Sequence, residues 1–349
     1  MLAKYAVIPD KEKCVILTEE IDEKDVQSDE LLVRTSYSMI SPGTELAGFY
    51  ALSPRVYQKG SWNAYPWRPG YGLCGEVLAQ GSDITDFTVG DRIFCFGKHA
   101  SLQKYQLDLR GNKHVSAAIK AMPELNDQTI AASHMGLVAI TAPQVSGVEL
   151  NDTVVIFGLG IVGNLTAQLY QLMGARVIGL DTIASRCERA KQVGIDEVIC
   201  VEPEKQIQAV LDLTPGGEGA HITIDAVGHS AVVQTCVQCT RMNGKIILLG
   251  SPRVAVEGNL TDIFRPAHLK CLQILGAFEW RLPAYSGTGI RHSMTSNLAL
   301  LWDLIASRKL KMMDLVSHVI QPQEMEGTYR GLMENKEEYF GALVDWTGA

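Results

Sequence analysis

The stretch 154-VVIFGLGIVGNLTAQLYQLMGARVIGLD-181 decides the fold class of this 349-residue chain. Residues 154–157 are continuously apolar and run into a glycine-rich turn, the leucines that follow recur at helical spacing, and residues 175–181 form a second apolar run. A strand, a helix and a strand in this order predict a parallel βαβ unit, because parallel strands need a crossover that is usually helical.

The rest of the chain shows two kinds of pattern. Up to about residue 135, short β-like runs such as ELLVRTSYSMI alternate with glycine and proline, which predicts a β-rich domain. From about residue 150 to 280, apolar strands alternate with helices, which is typical of a parallel sheet covered on both faces. A helix is expected at about 296–310, and the alternating tail YFGALVDW is expected to return to the first domain as a strand. The predicted fold class is α/β, with a doubly wound parallel Rossmann sheet beside a β-rich domain.

A Gly-x-Gly-x-x-Gly motif stands where the first strand leads into its helix; its residues are Gly158, Leu159, Gly160, Ile161, Val162 and Gly163. Gly158 permits a tight turn, Gly160 lets the backbone approach a pyrophosphate, and Gly163 allows close helix–strand packing. The pyrophosphate would lie against the free N–H groups and the positive dipole of the helix N-terminus. The motif therefore predicts a dinucleotide-binding site.

Asp181 ends the second strand, 18 residues after Gly163, where a carboxylate can accept hydrogen bonds from ribose hydroxyls. Because a 2′-phosphate would meet this negative charge, the pattern favours NAD over NADP, a preference that Arg186 would soften. Two later turns should face the same crevice, since ligands bind beyond the carboxyl ends of parallel strands. Their residues are Ala226, Val227, Gly228, Leu249, Gly250 and Ser251.

Composition excludes several classes of partner. The net charge is −8, which argues against nucleic acid and against an acidic membrane surface. No apolar run approaches the roughly 18 residues that a membrane helix needs, and the first residues do not read as a signal peptide. We expect a cytoplasmic protein whose eight cysteines are reduced.

Three further stretches, in the same order along the chain, accompany the glycine motif: SPGTELAGF at 41–49, GEVLAQGSDITDFTVGDRIF at 75–94 and HMGLVAITA at 134–142. Together they resemble the medium-chain dehydrogenase/reductase superfamily of alcohol dehydrogenases over nearly the whole chain. The resemblance implies a GroES-like catalytic domain formed by residues 1–137 and 281–349, and a Rossmann NAD-binding domain at 138–280. It also implies a homodimer or homotetramer.

The zinc ligands of that family are largely replaced. The resemblance implies a catalytic zinc held by a Cys, a His and a third Cys, Asp or Glu. This chain has Pro42, or Ser41 with a one-residue slip, at the first position, Tyr71 at the second, within RPGYGLCGEV, and His134 at the third. Only the third is a good zinc ligand, and the four closely spaced cysteines of the structural zinc lobe are missing. We predict that the usual zinc machinery is lost.

Without zinc, another group must take the alcohol proton while the hydride leaves. The candidates are Tyr71, His99, His134 and Thr44, of which Thr44 matches the proton-relay hydroxyl of the family. Glu45 matches the acidic residue that follows it. A rearranged metal site built from Glu45, His99 and His134 stays open as an alternative.

The opening motifs are similar to those of glycoside and bacteriochlorophyllide dehydrogenases, so the resemblance implies a sugar, glycoside or polyol as the substrate. The stretch 49–67 is aromatic and could form a sugar-stacking wall or simply pack its own loop; its large rings are Tyr50, Tyr57, Trp62, Tyr65 and Trp67. A second patch, 278-FEWR-281, could line the catalytic cleft or a dimer interface. Two other functions stay open: a quinone or enoyl-type C=C reductase, which would favour NADP, and a non-catalytic NAD-binding protein.

Overall fold

The computed structural model of the protein describes residues 1–107 and 116–349. Numbered along the chain, the strands are β1 (Leu2–Val7), β2 (Val15–Glu20), β3 (Glu30–Met39), β4 (Gly72–Gln80), β5 (Arg92–Cys95), β6 (Leu102–Gln106), β7 (Ala118–Lys120), β8 (Thr153–Phe157), β9 (Arg176–Asp181), β10 (Glu197–Cys200), β11 (Ala220–Asp225), β12 (Thr240–Leu248), β13 (Gln273–Gly276), β14 (His318–Ile320) and β15 (Ala342–Asp345). The helices are α1 (Pro42–Phe49), α2 (Asp127–Ala139), α3 (Thr141–Ser146), α4 (Ile161–Leu172), α5 (Ala184–Gln192), α6 (Pro203–Leu213), α7 (Ser230–Cys239), α8 (Thr261–Leu269), α9 (Met294–Ala306) and α10 (Met325–Glu334).

These elements form two compact units. The β-rich unit comprises Met1–Leu137, Glu279–Arg308 and Val316–Ala349, and the Rossmann unit comprises Val138–Phe278 and Lys309–Leu315. The mixed α/β fold class predicted from the sequence, a parallel Rossmann sheet with a separate β-rich sheet, is confirmed.

The Rossmann unit is built on a six-stranded parallel sheet in the order β10-β9-β8-β11-β12-β13. Every residue of β8 is buried, as the continuous apolar run predicts for a strand covered on both faces. The chain reverses its direction of winding between β8 and β11, which lie next to each other. In sheets of this type a ligand crevice lies at such a switch point, beyond the carboxyl ends of the strands.

The β-rich unit contains a larger, mostly antiparallel sheet in the order β14-β15-β3-β4-β5-β7, with β6 paired to β3. The predicted return of the tail is confirmed, because β15 pairs with β3 through Leu343 and Met39. The short helix α1 interrupts the strand pattern: Pro42 occupies its first turn, where the missing N–H group of proline costs nothing.

Helix α9 begins earlier and ends earlier than the sequence predicts. Ser293 precedes it, and the Ser293 and Ser296 side chains cap each other's backbone N–H groups, so the first turn starts at Met294. The helix ends at Ala306, and Arg308, with φ near 57°, turns the chain away. Among the described residues, none of the helices combines the length and apolar character that crossing a bilayer requires.

Candidate functional site

The glycine motif adopts the geometry that its spacing predicts. Gly158 has φ of 96°, a left-handed conformation that side chains with a Cβ rarely adopt. A Cβ on Gly163 would overlap the carbonyl oxygen of Gly158, so only glycine fits where α4 packs on the turn. Gly160 is the N-cap of α4 and no side chain caps it, while a Cβ there would have only Arg186 Nη1 nearby, at 3.8 Å. The N-terminal amides of α4 are therefore presented at a turn with room for a ligand.

Asp181 ends β9 beside this turn and binds to it. Its carboxylate accepts the N–H of Leu159 at Oδ2, 2.8 Å, and the N–H of Ile183 at Oδ1, 3.0 Å. Arg186 Nη1 lies 3.6 Å from Asp181 Oδ2. Asp181 thus fixes the glycine turn and places a negative charge at the end of β9, while Arg186 places a positive charge between that carboxylate and Gly160.

The two later turns lie together and share one anchor, Asp225 at the end of β11. Its Oδ1 atom accepts the N–H groups of Val227 and Gly228, both at 2.9 Å. Its carbonyl oxygen accepts the N–H groups of Leu249 at 3.0 Å and Gly250 at 2.8 Å. Burial raises the pKa of the Asp225 carboxyl. Sequence reasoning named the turn residues and missed this anchor, although a carboxylate directly before Ala-Val-Gly was a visible signal.

Close approaches show that these turns meet the glycine motif. A Cβ on Gly158 would lie 2.7 Å from Val227 Cγ2, and one on Gly228 would lie 2.8 Å from the carbonyl oxygen of Ser251. Three turns thus adjoin one another at the carboxyl ends of β8, β11 and β12. Together with the uncapped helix N-terminus, this cradle of small residues fits a dinucleotide.

In the β-rich unit, Tyr71 and His134 form a stacked pair. Their ring centroids lie 3.9 Å apart and the ring planes differ by 5°. His134 Nδ1 lies 2.8 Å from the backbone oxygen of Tyr71. Because a carbonyl can only accept, Nδ1 carries the proton and Nε2 presents a lone pair. Two of the residues at which the resemblance implies zinc ligands are thus held against each other.

His134 is fully buried, and Phe94, Phe96 and Trp280 present ring edges to it. Burial lowers the pKa of His134 to about 3, while its bond to the Tyr71 carbonyl acts in the opposite direction. The imidazole is therefore neutral at physiological pH. Its Nε2 atom has no hydrogen-bond partner within residues 1–107 and 116–349.

The polar side chains of this region interact with the Tyr71 hydroxyl. It donates a short hydrogen bond to Glu279 Oε1. The side chains of Thr44 and Trp280 also hydrogen-bond to Tyr71. Burial, followed by the charge of Glu279, raises the pKa of the Tyr71 phenol well above its usual value. The phenol therefore stays protonated at neutral pH. We name this group, Thr44, Tyr71, His134, Glu279 and Trp280, the Tyr71 cluster.

Glu45 and His99 belong to a second, fully buried network. Glu45 Oε2 accepts from His99 Nε2 at 2.9 Å and from the Tyr329 hydroxyl at 2.6 Å. Its Oε1 atom accepts the N–H of Ser41 at 2.8 Å. On the other side of the ring, His99 Nδ1 lies 2.7 Å from the Ser38 hydroxyl. These bonds tie α1 to β3 and α10, and so hold in place the helix that carries Thr44.

The residues present do not fit the zinc site of the family. Tyr71 turns its hydroxyl to Glu279, and Ser41 bonds to Glu45 through its backbone N–H and carbonyl groups. The alternative metal site from Glu45, His99 and His134 was wrong for the described residues, which contain no metal-binding group of three or more His, Cys, Asp or Glu side chains. The physical reason is that His99 and Glu45 bond to each other, whereas His134 bonds to Tyr71.

The aromatic stretch 49–67 divides into packed and exposed rings. Trp67 is 4% exposed and packs edge-on against Trp62, and the Tyr65 hydroxyl bonds to the carbonyl of Gly48. Trp62 and Tyr57 are 64% and 62% exposed. Part of the stretch therefore packs its own loop, whereas the side chains of Tyr57 and Trp62 are largely exposed.

Comparisons with known proteins agree with this description. A family model described as "Zinc-binding dehydrogenase" matches residues 162–287. D-guloside 3-dehydrogenase of Escherichia coli K12 is 25% identical over 322 residues, which cover 86% of this chain and 88% of that protein. These matches agree with the resemblance to the medium-chain dehydrogenase/reductase superfamily. They support an oxidoreductase of the dehydrogenase type. The segment matched by the family model contains none of the three zinc-ligand positions.

Solved structures share the fold of this chain. An E. coli oxidoreductase of unknown specificity, involved in membrane biogenesis, superposes with a TM-score of 0.80 at 19% identity, covering 99% of both chains. A Sinorhizobium meliloti protein, provisionally assigned as a zinc-binding dehydrogenase and bound to NADP, superposes with a TM-score of 0.76 at 19% identity, again covering 99% of both chains.

Sequence reasoning selected Tyr71, His134 and Thr44, which the structure brings together, and His99 and Glu45, which it places in the neighbouring network. It missed the role of Glu279. Glu279 lies in the 278-FEWR-281 patch, which the sequence analysis interpreted through its aromatic rings. No role was predicted for the carboxylate between them.

Proposed function

We propose that this protein is an NAD-dependent dehydrogenase that moves hydride between NAD and a secondary alcohol of a sugar, glycoside or polyol without the usual catalytic zinc. The observation that carries the proposal is the Tyr71–Glu279 hydrogen bond at a position where the family has a zinc ligand. The Tyr71 hydroxyl, which can transfer a proton, thus replaces a ligand of the zinc ion that would polarise the alcohol oxygen.

The cofactor assignment rests on Asp181. A carboxylate at the end of β9 favours the ribose hydroxyls of NAD and repels the 2′-phosphate of NADP. The S. meliloti fold neighbour is bound to NADP, and Arg186, 3.6 Å from Asp181, would weaken the discrimination. We infer a preference for NAD, with the proposed contacts at the residues of the glycine motif and of the two later turns.

When bound, the nicotinamide supplies the hydride chemistry, and the residues of the chain handle the proton. Tyr71 cannot be the resident base, because its raised pKa keeps it protonated. His134 is a weak base, because burial lowers its pKa to about 3. Thr44 offers a hydroxyl that is partly exposed and bonded to Tyr71. We propose that Thr44 contacts the substrate alcohol and that the Glu45–His99 network keeps α1 in place for this contact.

The substrate class rests on two supports. D-guloside 3-dehydrogenase, whose name states a glycoside substrate, aligns over most of both chains. The exposed rings of Tyr57 and Trp62 offer flat faces of the kind that pack against sugars. A protonated Tyr71 could also donate a proton during reduction of a quinone or an enone. A C=C reductase is therefore the second candidate function, and quinones and enones belong in the same test.

The experiment is a panel of glycosides, polyols, simple alcohols, quinones and enones, with NAD(H) and NADP(H), each before and after treatment with a chelator. We expect NADH formation with glycosides or polyols and unchanged turnover after chelation. Turnover that is abolished by chelation and restored by zinc would contradict the zinc-free mechanism. Turnover only with quinones or enones would move the protein to the reductase class, and binding of NADH without turnover would make it a non-catalytic binding protein.

We also propose a cytoplasmic homodimer or homotetramer. The edge strand β13 carries Ile274, which is 39% exposed, and such an apolar edge supports pairing with a second copy. Light scattering measures the mass in solution, and a monomer at all concentrations would contradict this part of the proposal.

A further inference from the structure

Two cysteines lie next to each other at the β10 edge of the Rossmann sheet. Cys187 is the fourth residue of α5, and Cys200 is the last residue of β10. The Cys187 Sγ atom lies 3.6 Å from the carbonyl oxygen of Asp181 and 3.7 Å from that of Ile199. Ile199 directly precedes Cys200, and Asp181 is the residue that pairs with Cys200 across the two strands. The Cys187 thiol therefore lies against the backbone that carries Cys200.

The side chain of Cys200 points to the face of the sheet that α5 covers. Ile199 packs against the core cluster that contains Val210 of α6. Because successive side chains of a strand point to opposite faces, Cys200 points away from α6. The chain moves outward from β9 to β10 through α5 and back from β10 to β11 through α6. Right-handed crossovers in opposite directions place these two helices on opposite faces, so Cys200 and Cys187 share one face.

The two thiols differ in exposure. Cys187 is 2% exposed, whereas Cys200 is open to solvent, and both are free thiols. Burial, followed by a hydrogen bond to Cys200, raises the pKa of the Cys187 thiol to about 12. The thiolate is the reactive form of cysteine, so a reagent in solution reacts first with the exposed Cys200. Cys187 is then the neighbouring thiol that can displace the reagent.

Other neighbouring cysteines do not combine these features. Cys74 and Cys95 lie on the adjacent strands β4 and β5, and Cys236 and Cys239 lie one turn apart on α7. All four are buried, so an oxidant in solution does not reach them directly.

We propose that Cys187 and Cys200 are a redox modification site, at which a small disulfide oxidant closes the two thiols into a reversible disulfide. The closure itself is independent of the proposed function. Its expected effect on NADH binding rests on the proposed cofactor site.

The exchange with oxidised glutathione balances in two steps. The Cys200 thiolate attacks one sulfur of the oxidant, the S–S bond of the oxidant breaks, and one glutathione leaves. The deprotonated Cys187 sulfur then attacks Cys200 Sγ and releases the second glutathione. Two cysteine thiols are oxidised to one disulfide, one oxidant disulfide is reduced to two thiols, and the two protons lost by the cysteines end on the glutathiones.

The disulfide should act on the glycine turn through α5. Ile183 directly precedes this helix and donates its N–H to Asp181 Oδ1, and Arg186 Nη1 lies 3.6 Å from Asp181 Oδ2. A disulfide holds its sulfur atoms about 2 Å apart, closer than two thiols in contact, so closure draws α5 toward β10 at Cys187. Because Asp181 also holds the N–H of Leu159 in the glycine turn, we expect the oxidised chain to bind NADH more weakly.

The test treats the full chain with oxidised glutathione and maps its tryptic peptides by mass spectrometry. Trypsin cleaves after Arg189 and Lys191, so the two cysteines fall in separate peptides and a cross-link between them is visible. We expect this cross-link, together with a Kd of NADH that rises about fivefold or more in a fluorescence titration. A reducing agent should reverse both changes.

Cys200→Ser removes the exposed thiol and should abolish both the cross-link and the change in Kd on oxidation. The matched control is Cys271→Ser, which removes another exposed cysteine of the same unit and should leave both responses as in the wild type. If Cys200→Ser does not fold, Cys187→Ala decides, because Cys200 should then keep its bound glutathione.

A wild-type Cys200 that remains bound to glutathione, or a disulfide between two chains, overturns the proposal. A cross-link that leaves the Kd of NADH unchanged overturns the expected action through α5. A reduced chain that binds no NADH contradicts the proposed function instead, and the peptide map still decides whether the disulfide forms.

Discussion

The glycine turn of the Rossmann unit and the Tyr71 cluster of the β-rich unit are two sites assembled in opposite ways. The turn comes from one continuous stretch, 158–163, and its anchor Asp181 lies one helix and one strand away. The Tyr71 cluster joins residues from four places in the chain, and its Tyr71–Glu279 bond spans 208 positions. A local site is limited by steric fit at each residue, whereas a dispersed site depends on the charge and hydrogen bonding of partners that the fold brings together.

The largest effect should come from Gly163→Ala in the local site. The added Cβ would overlap the Gly158 carbonyl oxygen, a backbone atom that cannot move aside. We expect a loss of about 1–3 kcal/mol in the free energy of unfolding, together with weak NADH binding, measured by urea denaturation and by fluorescence titration.

Gly160→Ala provides the matched control for Gly163→Ala. Gly160 has φ of −61°, which alanine tolerates, and space around its Cβ position. Its stability should stay within about 0.5 kcal/mol of the wild type, while NADH binding weakens because a methyl group stands where the pyrophosphate approaches. Equal destabilisation by both substitutions would contradict the claim that packing and ligand approach are separate roles of the two glycines.

The next largest effect should come from His134 in the Tyr71 cluster, as a pH dependence of the free energy of unfolding. The pKa of His134 is about 3 in the folded chain against 6.5 without burial. The unfolded chain therefore binds more protons between these values, so this contribution to stability is complete above pH 6.5 and is lost as pH falls toward about 3. The slope for one such group reaches about 1.4 kcal/mol per pH unit.

His134→Phe keeps an aromatic ring in the stack and removes the titration. Urea denaturation between about pH 7 and pH 5 should give a shallower decline in the free energy of unfolding than in the wild type. Parallel declines in the two proteins would show that His134 is hydrated or protonated in the folded chain.

The smallest of these effects should follow Asp181→Asn. The substitution removes the charge and one of the two acceptors that hold Leu159 and Ile183. The ratio of kcat/KM for NADP over NAD should rise about fivefold or more, because two like charges about 4 Å apart repel by about 1 kcal/mol even in water. Asp212→Asn, on an exposed pair with Gln208, is the control. If the ratio of kcat/KM for NADP over NAD is unchanged, Asp181 only holds the glycine turn and does not select the cofactor.

The sequence predicted the Rossmann unit in detail because its signals are local. The apolar run of β8, the glycine spacing and Asp181 each act on neighbouring residues, so spacing alone fixes their geometry. Helix α9 shows the limit of the same reasoning. Its periodic leucines were visible, but its start depends on the cap formed by Ser293 and Ser296, which periodicity does not report.

In the β-rich unit, the resemblance indicated which zinc-ligand positions are replaced, and the sequence analysis named Tyr71, His134 and Thr44. It could not show that His99 and Glu45 hydrogen-bond to each other in a buried network, or that His134 bonds to the Tyr71 backbone. Both facts follow from the folding of distant strands and helices onto one another.

By itself, then, the amino-acid sequence determined the fold class and the glycine-rich turn, because each depends on residue type and short spacing. The partner of Tyr71 was decided by tertiary folding. A phenol bonds to whichever group the fold places within hydrogen-bonding distance, and Glu279 is brought there from 208 residues along the chain.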